Sequence, residues 1–130
     1  MYKMNEKQKI LIIEDSPVQR AVIVNVIKEL GYEPIVLERF DDPIHNILDA
    51  HSVSMVLLDL ILLNEDGSVM VDAFQLCTEI KEQDENIKVI VVSAEGDEVA
   101  KEFALLNGAD GFMQKPFRVQ ELQECLRTFV

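Results

Sequence analysis

No stretch of this 130-residue sequence is long and apolar enough to span a bilayer, and its start, MYKMNEKQK, lacks the apolar core of a secretory signal. Neither a membrane protein nor an exported one is expected, and the cytoplasm is the expected compartment. Cysteine is scarce. Cys77 and Cys125 form no CxxC pattern and fall on apolar positions of expected helices, which reads as two buried free thiols. Positive charge is short as well. Twelve Lys and Arg against 24 Asp and Glu give a formal net charge of −12, the wrong sign for binding phosphate backbones or anionic headgroups, so direct contact with nucleic acid or membrane is not expected. Internal repeats, low-complexity tracts and linkers are missing too. Together these absences predict one domain over residues 1–130, with a polar lead over 1–8.

What the chain does have is ordinary globular composition, 48% hydrophobic and 28% charged, arranged as alternating strand and helix patterns. Five short apolar runs read as strands: KILII (9–13), EPIVLE (33–38), SMVLLD (54–59), IKVIVVS (87–93) and GFMQ (111–114). Most show no polar alternation, as a sheet covered on both faces requires. Helical patterns lie between them. Ser16 as cap, Pro17 at the first helical position and Gln19 completing an S-x-x-Q capping box predict the start of the first helix, whose apolar spacing is Ile23, Val26, Ile27 and Leu30 and whose end is Gly31. Asp42 and Pro43 predict the start of a short second helix carrying Ile44, Ile47 and Leu48. A third helix around 72–83 aligns Ala73, Leu76, Cys77 and Ile80; a fourth around 97–107 presents Val99, Phe103 and Leu106 and closes at Asn107 and Gly108. The last, about 119–129, turns Val119, Leu122, Leu126 and Phe129 inward. The expected fold is a doubly wound α/β domain with a five-stranded parallel sheet and five helices. In such folds, sites lie beyond the carboxyl ends of the strands.

Polar residues gather at those ends: Glu14 and Asp15 after the first strand, Asp59 after the third, Ser93 after the fourth, and Lys115 and Pro116 after the fifth. A loop beginning is reason enough for most of them. Asp59 is different, because it stands between MVLL and LILL, where a carboxylate is costly unless paired or bound to a cation. Three carboxylates at one edge repel one another, and a divalent cation relieves the repulsion. Oxygen ligands without His or Cys at ligand spacing suit Mg²⁺. Lys115 adds a second positive charge and Ser93 a hydroxyl. This set is what phosphoryl transfer onto a carboxylate needs: a nucleophile, a cation, and donors for the equatorial oxygens.

In order and spacing, LIIEDSPVQR, MVLLDLILLNEDG, VIVVSAEG and GADGFMQKPF resemble the response-regulator receiver domains of two-component signalling, of the single-domain chemotaxis type. The likeness covers nearly the whole chain and implies a flavodoxin-like sheet of strand order 2-1-3-4-5. It implies phosphorylation of Asp59 from a sensor histidine kinase or histidine phosphotransfer protein. Mg²⁺, with Mn²⁺ as substitute, would be held by Asp15 and Asp59 directly, by Glu14 through water and by the backbone carbonyl of Ile61. Ser93 and Lys115 would contact the phosphoryl group, and Ser93 and Phe112 would act as switch residues. On its own, Phe112 reads as plain core. Pro116 matches a cis-proline position.

The surface of the fourth helix, fifth strand and fifth helix would control binding of an unknown downstream protein, as a monomer or a phosphorylation-dependent homodimer. Output is expected through binding, since no effector segment follows the last helix. The chain departs from the family pattern at Glu14, where Asp is commoner, and at Leu63, where proline is frequent. It also runs longer between Asp59 and Ser93, which predicts an extended loop over 64–72 that holds Asp66 and Gly67 and alters access or partner choice. An apolar Ile61 would position no hydrolytic water and so favour a long-lived phosphoryl group, with Glu95 as a partly offsetting polar neighbour. A haloacid-dehalogenase-type phosphatase wants a second acid where Ile61 stands, and an FMN carrier wants a phosphate cradle where EDSPVQR stands. The remaining rival is a receiver-like interaction module that works without phosphorylation. His45, His51, Tyr2 and Tyr32 read as structural or surface residues.

Overall fold

A computed structural model describes residues 7–37, 43–63, 69–93 and 98–130, with backbone alone over 61–63 and 69–71. Asp42, Glu95, Asp66 and Gly67 lie outside the described residues. Five parallel strands form the main sheet: β1 (Lys9–Ile13), β2 (Glu33–Val36), β3 (Met55–Asp59), β6 (Lys88–Ser93) and β7 (Gly111–Gln114), in the order β2-β1-β3-β6-β7. Counted within that sheet, this is the expected 2-1-3-4-5 order of a flavodoxin-like fold. The helices are α1 (Pro17–Glu29), α2 (Ile44–His51), α3 (Ala73–Gln83), α4 (Glu98–Leu106) and α5 (Val119–Phe129).

The interior of each central strand is apolar on both faces because it feeds two cores. Leu11, Ile13, Val56, Leu58, Val89 and Val91 pack on one face with Ile44, Leu48, Leu76, Ile80 and Ala104 of α2, α3 and α4. The alternate residues Ile10, Ile12, Met55, Leu57, Ile90 and Val92 pack on the other with Ile23, Ile27, Leu122 and Leu126 of α1 and α5. The period-2 alternation of a strand is therefore present, but both phases are hydrophobic.

Helix ends follow local chemistry. Gly31, at φ 86°, closes α1 with Gly31 N donating to Lys28 O and Tyr32 N to Ile27 O, the paired bonds of a Schellman ending. The start of α1 differs from the expected capping box. Ser16 Oγ does accept from Gln19 N at 3.3 Å, but the Ser16 N–H donates to Glu14 Oε1 at 3.1 Å, so Glu14 fills the reciprocal role foreseen for Gln19.

Two helical faces also differ. On α4, Val99, Phe103 and Leu106 are 58%, 51% and 81% exposed, and Ala104 is the buried residue of the helix. Ala104 packs into the core beside the sheet, Val99 and Leu106 are mostly exposed, and the Phe103 ring meets that of Phe74 on α3 at a centroid distance of 6.0 Å. On α5, Leu122 and Leu126 are buried as expected, whereas Val119 is exposed and Phe129 only half-buried.

The extended loop expected over 64–72 is in part a strand. β4 (Ile61–Leu63) and β5 (Val69–Asp72) form a separate antiparallel pair, with Ile61 opposite Asp72, Leu62 opposite Val71 and Leu63 opposite Val69. The register slip leaves Met70 as a bulge residue. Two apolar, partly β-branched runs flanking the polar NEDGS make a hairpin pattern that a loop reading overlooks.

Candidate functional site

Parallel pairing brings the strand ends together. Asp59 is the last residue of β3 and pairs with Val92, Ser93 is the last of β6 and pairs with Gln114, and Lys115 follows directly. Glu14 and Asp15 leave the end of the adjacent β1. Glu14, Asp59 and Ser93 are 4%, 7% and 5% exposed, and they are the buried polar side chains among the described residues. Polar groups placed in this way demand partners. Lys115 Nζ donates to Glu14 Oε2 at 2.7 Å and to Asp59 Oδ2 at 3.3 Å.

The two oxygens of Glu14 serve different neighbours, since Oε1 accepts from Ser16 N and Oε2 from Lys115. Arg20 adds a bond from its guanidinium to Glu14 O at 3.3 Å. Burial is the largest single influence on Lys115 and pulls its pKa down. The hydrogen bond to Glu14 and the charges of Asp59 and Glu14 together outweigh it, and the ammonium ends above its ordinary value. Lys115 is thus held charged. Its backbone N–H donates to Ser93 O at 2.6 Å, and the Lys115–Pro116 peptide is cis, as expected.

Glu14, Asp15 and Asp59 each offer a carboxylate oxygen, and these atoms all lie within 4.8 Å of one another. Three carboxylates against one ammonium leave the cluster net negative, and Asp15 opens it to solvent. A hard divalent cation fits such a set, with oxygen donors from the protein and water on the open side. Phe112 lies two positions before Gln114 on β7, half-buried against the core that holds Ala104, and Pro116 is exposed. Ile61 opens β4, two residues beyond Asp59. Of the residues singled out in the sequence, Glu14, Asp15, Asp59 and Lys115 come together, with Ser93 tied to the Lys115 backbone.

Two contributors were not foreseen. Arg20 carries no spacing signal, because its reach back to Glu14 depends on the turn between β1 and α1. The second role of Glu14 had a faint signal, a long acid two residues before the cap.

The fold and its edge of clustered carboxylates define a class, the flavodoxin-like domains that carry an acidic pocket at the strand ends. The chain belongs to the response regulator receiver domain family, whose sequence profile matches residues 10–127. It is a receiver domain of two-component signalling. A protein of Picosynechococcus sp. described as a probable transcriptional regulatory protein is 31% identical over 135 residues, covering 98% of this chain and 51% of that protein. The aerobic respiration control protein ArcA of Escherichia coli K12 is 32% identical over 114 residues, covering 87% of this chain and 44% of ArcA. The chain therefore spans about half the length of these curated relatives. Among solved structures, the chemotaxis protein CheY4 of Vibrio cholerae superposes with a TM-score of 0.82 at 16% identity, over 96% of this chain and all of that one, a likeness of fold.

Proposed function

We propose that Asp59 accepts a phosphoryl group from a phosphohistidine on a sensor histidine kinase or histidine phosphotransfer protein. The observation that carries this reading is Lys115 Nζ shared between Glu14 and Asp59 inside a buried, net negative cluster. In the reaction, an Asp59 carboxylate oxygen attacks phosphorus, the phosphorus–nitrogen bond breaks, and the donor imidazole leaves with the electron pair. Mg²⁺, or Mn²⁺ in its place, would neutralise the charge developing on the phosphoryl oxygens. Asp15 and Asp59 would hold it directly, Glu14 through water, and Ile61 by its backbone carbonyl.

Lys115, already charged and half-buried, would turn from Asp59 to the incoming phosphoryl oxygens. Ser93 would supply a hydroxyl hydrogen bond, and Phe112, lacking a polar tip, could be buried fully without stranding a donor. Phosphorylation shifts the surface of α4, β7 and α5 only by as much as the phosphoryl group favours the active arrangement. A downstream protein, or a second copy of the chain, would read that surface. The single-domain organisation and the cytoplasmic location belong to the same proposal; among the described residues no helix is long and apolar enough to cross a membrane. Ile61 is apolar and stands two residues beyond the acceptor in the sequence, so Ile61→Asn should shorten the phosphoryl lifetime, and Glu95 should modulate it.

Incubation with Mg²⁺ and a small-molecule phosphodonor, followed by intact mass, tests the assignment. The expected result is one added phosphoryl group on the wild type and none on Asp59→Asn or after chelation. Phosphate on the variant would move the acceptor elsewhere. An unmodified wild type would favour an interaction module that works without phosphorylation.

A further inference from the structure

The β4–β5 hairpin enters between the acceptor strand and α3 and is fixed at both roots. On one side, Leu60 N donates to Val92 O at 2.8 Å, tying the residue after Asp59 to the main sheet. On the other, Asp72 is both the last residue of β5 and the N-cap of α3, its Oδ1 accepting from Phe74 N at 3.0 Å and Gln75 N at 3.3 Å. α3 is anchored by Ala73, Leu76, Cys77 and Ile80, all buried in the core. A two-stranded pair outside a larger sheet is marginal on its own, so its order comes from its roots. The root rung is Ile61 opposite Asp72.

We propose that Asp72 is a positioning residue for the cation site: by capping α3 it fixes the backbone rung that holds Ile61, whose carbonyl is the donor assigned two residues past the acceptor. This inference rests on the cation site proposed above. When the cap is present, the extended backbone of Asp72 (φ −79°, ψ 107°) is set by the helix, and Ile61 meets a rigid partner. When it is absent, the first turn of α3 frays and the rung loosens. Cation binding must then supply the order that the hairpin no longer provides. Occupancy of the site and order at the start of α3 are in this way coupled, and either favours the other.

Isothermal titration with Mg²⁺ alone, using the whole chain, tests the coupling. Asp72→Ala removes the cap and should weaken Mg²⁺ binding about five-fold, the equivalent of roughly 1 kcal/mol. Asp72→Asn keeps a capping oxygen while removing the charge, and should bind within about two-fold of wild type. Thr78→Val provides the control. It removes the Thr78 hydroxyl bonds to Phe74 O in the first turn of α3 and to Asn107 Oδ1 just after α4 while leaving the Asp72 cap in place, and should lower thermal stability with no change in Mg²⁺ affinity. The coupling is overturned if Asp72→Ala binds like wild type, if Asp72→Asn loses as much as Asp72→Ala, or if Thr78→Val weakens binding equally. A wild type that binds no Mg²⁺ overturns both this inference and the cation site beneath it.

Discussion

Asp59 could be found from its neighbours alone, because a charge inside the most apolar stretch of a sequence is costly and needs a reason. Lys115 could be found from its place after a strand. The partition of Glu14 between Ser16 and Lys115 could not, since it depends on the path of the β1–α1 turn and on which oxygen faces which neighbour. The cysteines give a prediction at this scale. Burial pushes the thiol of Cys125 up to about 11, and that of Cys77 likewise up to about 11, where burial outweighs the lowering effect of the nearby Lys81. Both should react slowly with thiol reagents at neutral pH, because the thiolate is the reactive form. A folded-state pKa above the ordinary 9.0 means that the folded protein holds these protons more tightly than the unfolded chain does. Their contribution is complete below about 9 and declines as the pH rises towards about 11. Lys115 acts with the same sign, its contribution being lost as the pH rises past the ordinary 10.5 and through the raised value. Thermal melts across this alkaline range should show falling stability, and Cys125→Ala should flatten part of the fall.

Among the elements, α1, α3 and the central strands β1, β3 and β6 were legible because their apolar residues match the faces they bury. α4 was not, because its spacing marks an apolar stripe without saying whether the sheet or the solvent receives it. The burial of the small Ala104 decides that question, and periodicity carries no information about it. It follows that Leu106→Ser should change the unfolding free energy by no more than about 0.5 kcal/mol, while Ala104→Leu should cost about 1–3 kcal/mol. Urea denaturation of the two variants side by side checks both. On β7, a Cβ at Gly111 would come within 2.8 Å of Ile90 Cδ1 and 3.0 Å of the Phe129 ring. Gly111→Ala should therefore be destabilising by a similar 1–3 kcal/mol, about the cost of overpacking, with Phe129→Leu partly relieving it. The hairpin escaped the sequence reading for another reason. Its two runs are short, and their pairing leaves the main sheet instead of extending it.

For the whole molecule, the doubly wound parallel class was accessible because apolar runs of parallel-sheet type, joined by helices, admit few topologies, whereas the strand order came with the resemblance to receiver domains. The net charge of −12 acts at this scale. Self-repulsion opposes compaction, and added salt screens it. The melting temperature should therefore rise with NaCl at neutral pH, and a melting temperature indifferent to salt would show that the charges are spread too thinly to matter. A last consequence follows from the 2.6 Å bond between Lys115 N and Ser93 O, which carries the β6–β7 ladder one rung beyond the strands. That amide should be among the slowest to take up deuterium, opening only with the sheet itself. The main chain under the lysine is a fixed mount, and any message leaving this edge has to begin as a turn of side-chain torsions above it.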